Sequence, residues 1–300
     1  MEVSRAVQQI DCSSWDEFKS GLRHEYAEQM DGRTPLYRGH ARTNWKLASP
    51  WDRELGRRVS KSRSPDTHSR LLAHLLDNFK DLVIGLPGIH ARDLATDDDW
   101  WTLGRHYGLT TPLLDWTKSP YVAAFFAFTG FLEHISPGVT TVGSMDGQRL
   151  LSRDSTDRVA IWSFMVERIS EYKPGPPADL EIIHARTDVG HRQRAQRGVF
   201  TRLKHDSYSC LEDYLESLNP EQPPLRKYLI PGWEAAKAVT ELRMMNITFA
   251  TLFPDLTGAA LQANFELAST GLIVFSMMRA DTWTLLVDPP DKSGSDCGKA

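Results

Sequence analysis

"HYGLTTPLLDWTKSPYVAAFFAF", residues 106–128, decides how the rest of this chain is read. Gly108 is suited to stop a preceding helix in the left-handed conformation. "TPLLDWT", residues 111–117, then reads as a short strand. Ser119 followed by Pro120 is an N-cap and first-turn pair. The helix it starts carries Val122, Ala123, Phe125, Phe126 and Phe131 over most of its circumference, which predicts burial. A strand feeding a buried helix, with His106, Tyr107, Asp115, Thr117 and Ser119 at the joints, is either a structural junction or the floor of a reactive pocket.

Working upstream, Thr96 or Asp97 caps a helix whose first turn holds Asp97, Asp98 and Asp99 near the positive end of the helix dipole, placing His106 and Tyr107 in its last turn. Leucines and Phe79 at three-and-four spacing predict an amphipathic helix over 70–86. Ser14 and Glu17 form a capping-box pattern for a helix running toward Met30. "PLYRGH" predicts a strand over 36–38 that Gly39 stops, with Arg38 at its end.

Downstream, 136–158 reads as a loop and "RVAIWSFMV", residues 158–166, as a central strand. "HRQRAQRGVFTRL", residues 191–203, reads as a basic turn feeding a strand over 199–203. A polar loop follows through Pro224, then a strand in "KYLIP", a helix over 232–246, a short turn with another helix, and a final strand in "DTWTLLV", residues 281–287. Strands mixed with helices without regular alternation favour the α+β class. The expected organisation is a helical segment over 1–30, one domain over 31–288 and a disordered tail over 289–300.

The chain has 300 residues, 41% hydrophobic and 25% charged, enough to close a core. It has no apolar run of about eighteen residues that would span a bilayer. The polar, acidic start "MEVSRAVQQIDCSSWDEF" has no secretory pattern, so a cytoplasmic protein without a membrane partner is expected. Cys12, Cys210 and Cys297 are widely spaced and form no C-x-x-C pair, which argues against a disulfide framework or cysteine zinc site. A net charge of −4 conceals segregation, with six Lys/Arg against two acids over 53–74 and six against one over 184–205. Such segments attract phosphates if the fold joins them; otherwise they are solvated surface.

None of the ten histidines falls in H-E-x-x-H, and His68 with His74, or His184 with His191, have the wrong period to share a helix face. No metal is therefore expected. G-x-S-x-G, the P-loop and the dinucleotide G-x-G-x-x-G are also missing.

What remains is a set of ordered motifs: Tyr37-Arg38-Gly39, the 106–128 stretch, "RAQRGVFT" over 194–201 and "TLFPDLTGAA" over 251–260. Together they resemble the FRG domain family, named for its [FY]-R-G tripeptide. Pro112 stands where that family usually has arginine in T-R-L-L-D, one charge fewer. "DWTKSPYVAAFFA" is also similar, more distantly, to the S-T-S strand and following helix of arginine-type ADP-ribosyltransferases, which place an arginine at the end of an early strand.

That second resemblance implies a split β core with added helices and NAD as co-substrate. Arg38 would hold a phosphate or ribose oxygen through its planar fork. Tyr37, Gly39, Thr117 and Ser119 would surround the ribose, Tyr107 or Trp116 would stack nicotinamide, and His106 would bind the carboxamide or a ribose hydroxyl. The transferase E-x-E or Q-x-E element is missing; Gln196 stands about where its first carboxylate is expected, and Asp115 is the nearest carboxylate in the motif. Arg38 paired with Asp115 as a purely structural pin is the competing reading. The implied function is an NAD-dependent toxin of phage defence or a toxin–antitoxin system. It would modify a nucleic acid, RNA ahead of DNA and single-stranded for preference, bound by Arg192, Arg194, Arg197 and Arg202, with an antitoxin or chaperone as neutralising partner. A nucleotide- or nucleic-acid-binding sensor without turnover, and a metal-independent nuclease using His106, are the alternatives.

Overall fold

A computed structural model describes residues 4–30, 35–58, 65–86, 94–135, 156–166, 179–184, 191–204 and 208–278. Seven strands form one sheet: β1 (Val7–Asp11), β2 (Leu36–His40), β3 (Leu114–Thr117), β4 (Arg158–Phe164), β5 (Leu180–Ile183), β6 (Gly198–Leu203) and β7 (Leu225–Pro231). Their order is β1-β7-β4-β2-β3-β6-β5, antiparallel except for the parallel β1–β7 pair. The helices are α1 (Trp15–Met30), α2 (Pro50–Arg58), α3 (Pro65–Val83), α4 (Asp97–His106), α5 (Pro120–Ile135), α6 (His191–Gln196), α7 (Leu211–Ser217), α8 (Ala235–Met244), α9 (Phe249–Leu252) and α10 (Leu256–Met278). This is an α+β fold built on one mixed sheet.

The interior strand β4 is mostly apolar and is buried on both faces from Val159 to Phe164. Val159 and Ile161 face the cluster built from α1, α5 and α8, while Trp162 and Phe164 join Trp116, Leu114 and Tyr214 on the other side. A third cluster packs Leu76 and Val83 of α3 against Trp100, Trp101 and Leu103 of α4.

Helix α5 forms where the sequence predicts, with the Ser119 hydroxyl accepting from the Val122 amide at 3.4 Å. It lies unusually close to β2: a Cβ placed on Gly39 would stand 1.9 Å from the Ala123 carbonyl oxygen and 2.7 Å from the Ala127 amide. The glycine of the tripeptide and the alanines of "VAAFFAF" therefore answer one demand, a helix lying on a strand with no room for side chains between them.

Helix α4 starts at Thr96, which forms a reciprocal capping box with Asp99, and Gly108 adopts φ 88° just past its end. The N-terminal segment contains a strand as well as the expected helix: β1 joins the sheet edge, held in parallel to β7. Strand β5, helix α2 and helix α7 also stand where loops or no element had been expected, and residues 191–196, read as a turn, form α6. The strand proposed for 281–287, the tail over 289–300 and most of the 136–158 loop lie outside the described residues.

Candidate functional site

Strands β2 and β3 share one ladder pair, Tyr37↔Thr117, whereas β2 and β4 share five. Past that pair a side chain takes over as the bridge: Arg38 Nη1 donates to the Asp115 carbonyl oxygen at 2.7 Å. Arg38 and Asp115 both line a cleft of about 450 Å³, within the range of roughly 300–1,000 Å³ usual for small-molecule sites.

The guanidinium of Arg38 is fixed on its other side by His40, whose Nε2 accepts from Arg38 Nε at 3.0 Å. Among the described residues no group takes Nη2. His40 is buried, and its second ring nitrogen, Nδ1, stands 3.2 Å from the indole nitrogen of Trp162. A neutral imidazole accepts at one nitrogen only, so with Nε2 accepting from Arg38 the hydrogen sits on Nδ1 and the Trp162 approach is a packing contact; a doubly protonated ring would lose the Arg38 hydrogen bond. Burial, followed by the nearby Arg38 and Arg53 charges, pushes the His40 pKa down to about 2. Burial also lowers the Arg38 pKa, as do the neighbouring Arg105 and Arg53 charges, against the opposing pull of Asp115.

Asp115 is claimed by a second arginine. Arg105 Nε donates to Oδ1 at 3.0 Å and Nη2 to Oδ2 at 2.6 Å, a bidentate pair, while Arg38 Nη1 stands at 3.5 Å from Oδ2. Burial alone would raise the Asp115 pKa, but Arg105 and then Arg38 more than reverse this, so the carboxyl is held ionised below its ordinary value. Arg105 was not singled out in the sequence, although it immediately precedes His106 on α4.

His106 lines the cleft beside Tyr107, their ring centroids 4.8 Å apart. Burial first and the Arg192 charge second lower its pKa, with Asp255 opposing in part, so the ring is neutral at neutral pH. Tyr107 itself is exposed and does not line the cleft. Trp116 is buried, with its indole N–H donating to Thr201 Oγ1 at 2.9 Å. Trp116 still borders the cleft, together with the half-buried Phe126 and Phe253, which are set edge to face with centroids 6.0 Å apart.

The expected hydroxyls have local tasks. Thr117 Oγ1 donates to the Gln196 carbonyl oxygen at 2.6 Å and accepts from the Ser119 amide at 3.1 Å, and Ser119 caps α5. Tyr37 is buried, its hydroxyl donating to the Glu25 carboxylate. Gln196 borders the cleft from the end of α6 and donates Nε2 to the Leu252 carbonyl oxygen at 3.1 Å, tying α6 to the "FPDL" turn. The same turn is gripped by Arg192, which pairs with Asp255 at 2.6 Å and lies 5.2 Å from the Phe253 ring centroid. Arg192 thus belongs to the cleft wall. Arg202 is paired with Asp98 and Glu181, while Arg194 and Arg197 are exposed.

Two further polar atoms were missed. Thr102 Oγ1 and Gln193 Oε1 belong to cleft-lining residues, are shielded from solvent and have no hydrogen-bond partner among the described residues. Among the described residues no group of three or more His, Cys, Asp or Glu gathers at one point, and no helix is long and apolar enough to cross a membrane.

No curated protein and no solved structure matches the chain. The family model described as the FRG domain matches residues 33–134, which hold Arg38, Arg105, His106 and Asp115 but end before α6 and the "FPDL" turn. The Tyr37-Arg38-Gly39 tripeptide and the 106–128 stretch both lie inside the matched segment, so it is this segment of the chain that is similar to the FRG domain.

Proposed function

We propose that the cleft binds NAD and that the protein transfers ADP-ribose to a nucleic acid, RNA ahead of DNA. The observation that carries this reading is Arg38 at the parting of β2 and β3, with two nitrogens fixed and Nη2 left to the cleft. A sheet that parts beside an arginine of an early strand is the arrangement expected of an ADP-ribosyltransferase-like core, although Arg38 is the middle residue of β2, which runs on through Gly39 to His40 rather than stopping there. The Phe126–Phe253 corner suits a heteroaromatic ring, and Arg38 suits the diphosphate.

In the reaction the bond between C1′ of the ribose and the nicotinamide nitrogen breaks, and its electron pair leaves with nicotinamide. The oxocarbenium ion that develops on the ribose is stabilised by fixed negative charge. Asp115, held ionised, supplies that charge. An acceptor oxygen or nitrogen then bonds C1′ and gives its proton to His106, whose lowered pKa keeps it unprotonated and able to accept. Arg194 and Arg197, both exposed, would meet the acceptor's phosphates. The biological setting that fits is a toxin of phage defence or of a toxin–antitoxin pair, with a neutralising partner protein.

One observation favours a second reading, a nucleotide sensor without turnover. Both oxygens of Asp115 are already engaged by Arg105, so the carboxylate has little charge left to offer a cation. Incubation with labelled NAD and separate RNA, DNA and protein pools decides. Label transfer that disappears in Arg38→Ala supports the transferase, and retention without transfer supports the sensor. Strand scission without NAD overturns both in favour of a nuclease.

A further inference from the structure

We propose that His40 is a positioning residue that fixes Arg38 without neutralising it, so that the full charge of the guanidinium is delivered to a diphosphate in the cleft. This rests on reading Arg38 as the phosphate-binding group.

Among the described residues that line the cleft, the charges cancel in pairs, with one exception. Arg105 is matched by Asp115 through two hydrogen bonds, and Arg192 is matched by Asp255 at 2.6 Å. Arg38 has only the 3.5 Å approach to an Asp115 oxygen that Arg105 already holds at 2.6 Å. Its two close contacts, the His40 ring nitrogen at 3.0 Å and the Asp115 carbonyl oxygen at 2.7 Å, are both neutral acceptors. A buried arginine is ordinarily matched by a carboxylate, because an isolated buried charge is costly. Here the matching charge is withheld and orientation alone is supplied.

The position of His40 follows from the strand. Residues 38 and 40 of β2 project from the same face, and His40 is packed between Trp45 and Trp162, with ring centroids 5.9 and 6.3 Å away. With Nη2 left to the cleft, the group that completes the site is an anion able to accept from a guanidinium, and a diphosphate offers several oxygens for it.

The test measures binding by titration calorimetry on the full chain, with NAD and inorganic pyrophosphate as probes, for wild type and for His40→Ala, His40→Gln and His40→Glu. Loss of the acceptor in His40→Ala is expected to weaken binding at least tenfold by freeing the guanidinium. His40→Gln, which restores a neutral acceptor, is expected to recover most of that loss. His40→Glu is expected to bind as poorly as Arg38→Ala and to lose most of its salt dependence, because its carboxylate cancels the charge. Melting temperatures separate folding from binding: a structural histidine would let binding follow stability across the set. Equal affinity in the Gln and Glu variants overturns the proposal, as does a His40→Ala variant that binds like wild type. A wild-type chain that binds pyrophosphate but not NAD overturns the NAD reading while the same variants still test His40 on pyrophosphate. One that binds neither overturns both.

Discussion

Arg105 holds both carboxylate oxygens of Asp115, at 3.0 and 2.6 Å, and so keeps that carboxylate from capturing Arg38, which waits 3.5 Å away. Removing Arg105 should therefore do more than break a pair. In Arg105→Met, Asp115 and Arg38 are expected to close on each other, and NAD or pyrophosphate affinity should fall about tenfold, the equivalent of roughly 1.4 kcal/mol. The pair is partly exposed, so the cost to stability should be only about 1–2 kcal/mol. Calorimetry alongside chemical denaturation checks both numbers, and unchanged affinity would show that Asp115 does not compete for Arg38.

Gly39 makes a sharper structural prediction. With the Ala123 carbonyl oxygen 1.9 Å from where its Cβ would lie, Gly39→Ala has to push β2 and α5 apart, and both elements also carry cleft residues. Overpacking of this kind costs about 1–3 kcal/mol or more, and backbone on both sides leaves no flexible side chain to yield. Expected outcomes are a lower melting temperature and weaker ligand binding in the same variant. A wild-type melting curve would show that the close approach of helix to strand is not real.

The junction at 106–128 was legible because each part has its own local signal: Gly108 as a left-handed stop, Ser119-Pro120 as a helix start, and an apolar helix too uniform to face water. Strand β1 was not legible. "VQQID" is an edge strand with three exposed positions, so it lacks the apolar alternation that pairing elsewhere in the sheet requires. Arg38 and Asp115 could be picked out from the motifs, yet the pairing that matters, Arg105 with Asp115, joins a helix end to a strand across a turn and has no periodic signature. His40 had a signal in principle, two residues from Arg38 on one strand. Its role depends on burial between tryptophans distant in sequence, which periodicity does not reveal.

Thr102 offers a test of opposite sign. Its hydroxyl is shielded from solvent without a partner among the described residues, and a buried unsatisfied group costs about 1–3 kcal/mol. Thr102→Val keeps the shape and removes that cost, so the empty protein should become more stable, by about 1 kcal/mol. If a ligand group supplies the missing partner when the cleft fills, the same variant should bind more weakly. Thermal melts with and without NAD read both effects, and a destabilised Thr102→Val would mean that the hydroxyl is satisfied in solution.

His40 also sets a pH window for the fold. Its folded pKa is pushed to about 2 from an ordinary value of 6.5. Between those values the unfolded chain binds a proton that the native ring does not, so stability is full above about pH 6.5 and is lost as pH falls below it. The slope for one such group approaches about 1.4 kcal/mol per pH unit. The low-pKa carboxylates act later, since Asp16 and Asp255, each held at about 2 by partners that are first of all Lys237 and Arg192 respectively, lose their contribution only below their ordinary value of 3.8. His106, also lowered, adds to the slope in the same window as His40, and His40→Gln separates the two. Denaturation midpoints at pH 7.5, 5.5 and 4.5 should converge for His40→Gln relative to wild type, with the variant losing less stability toward acid. Parallel curves would mean that the native protein accepts a proton at position 40, at the cost of the hydrogen bond that Nε2 accepts from Arg38.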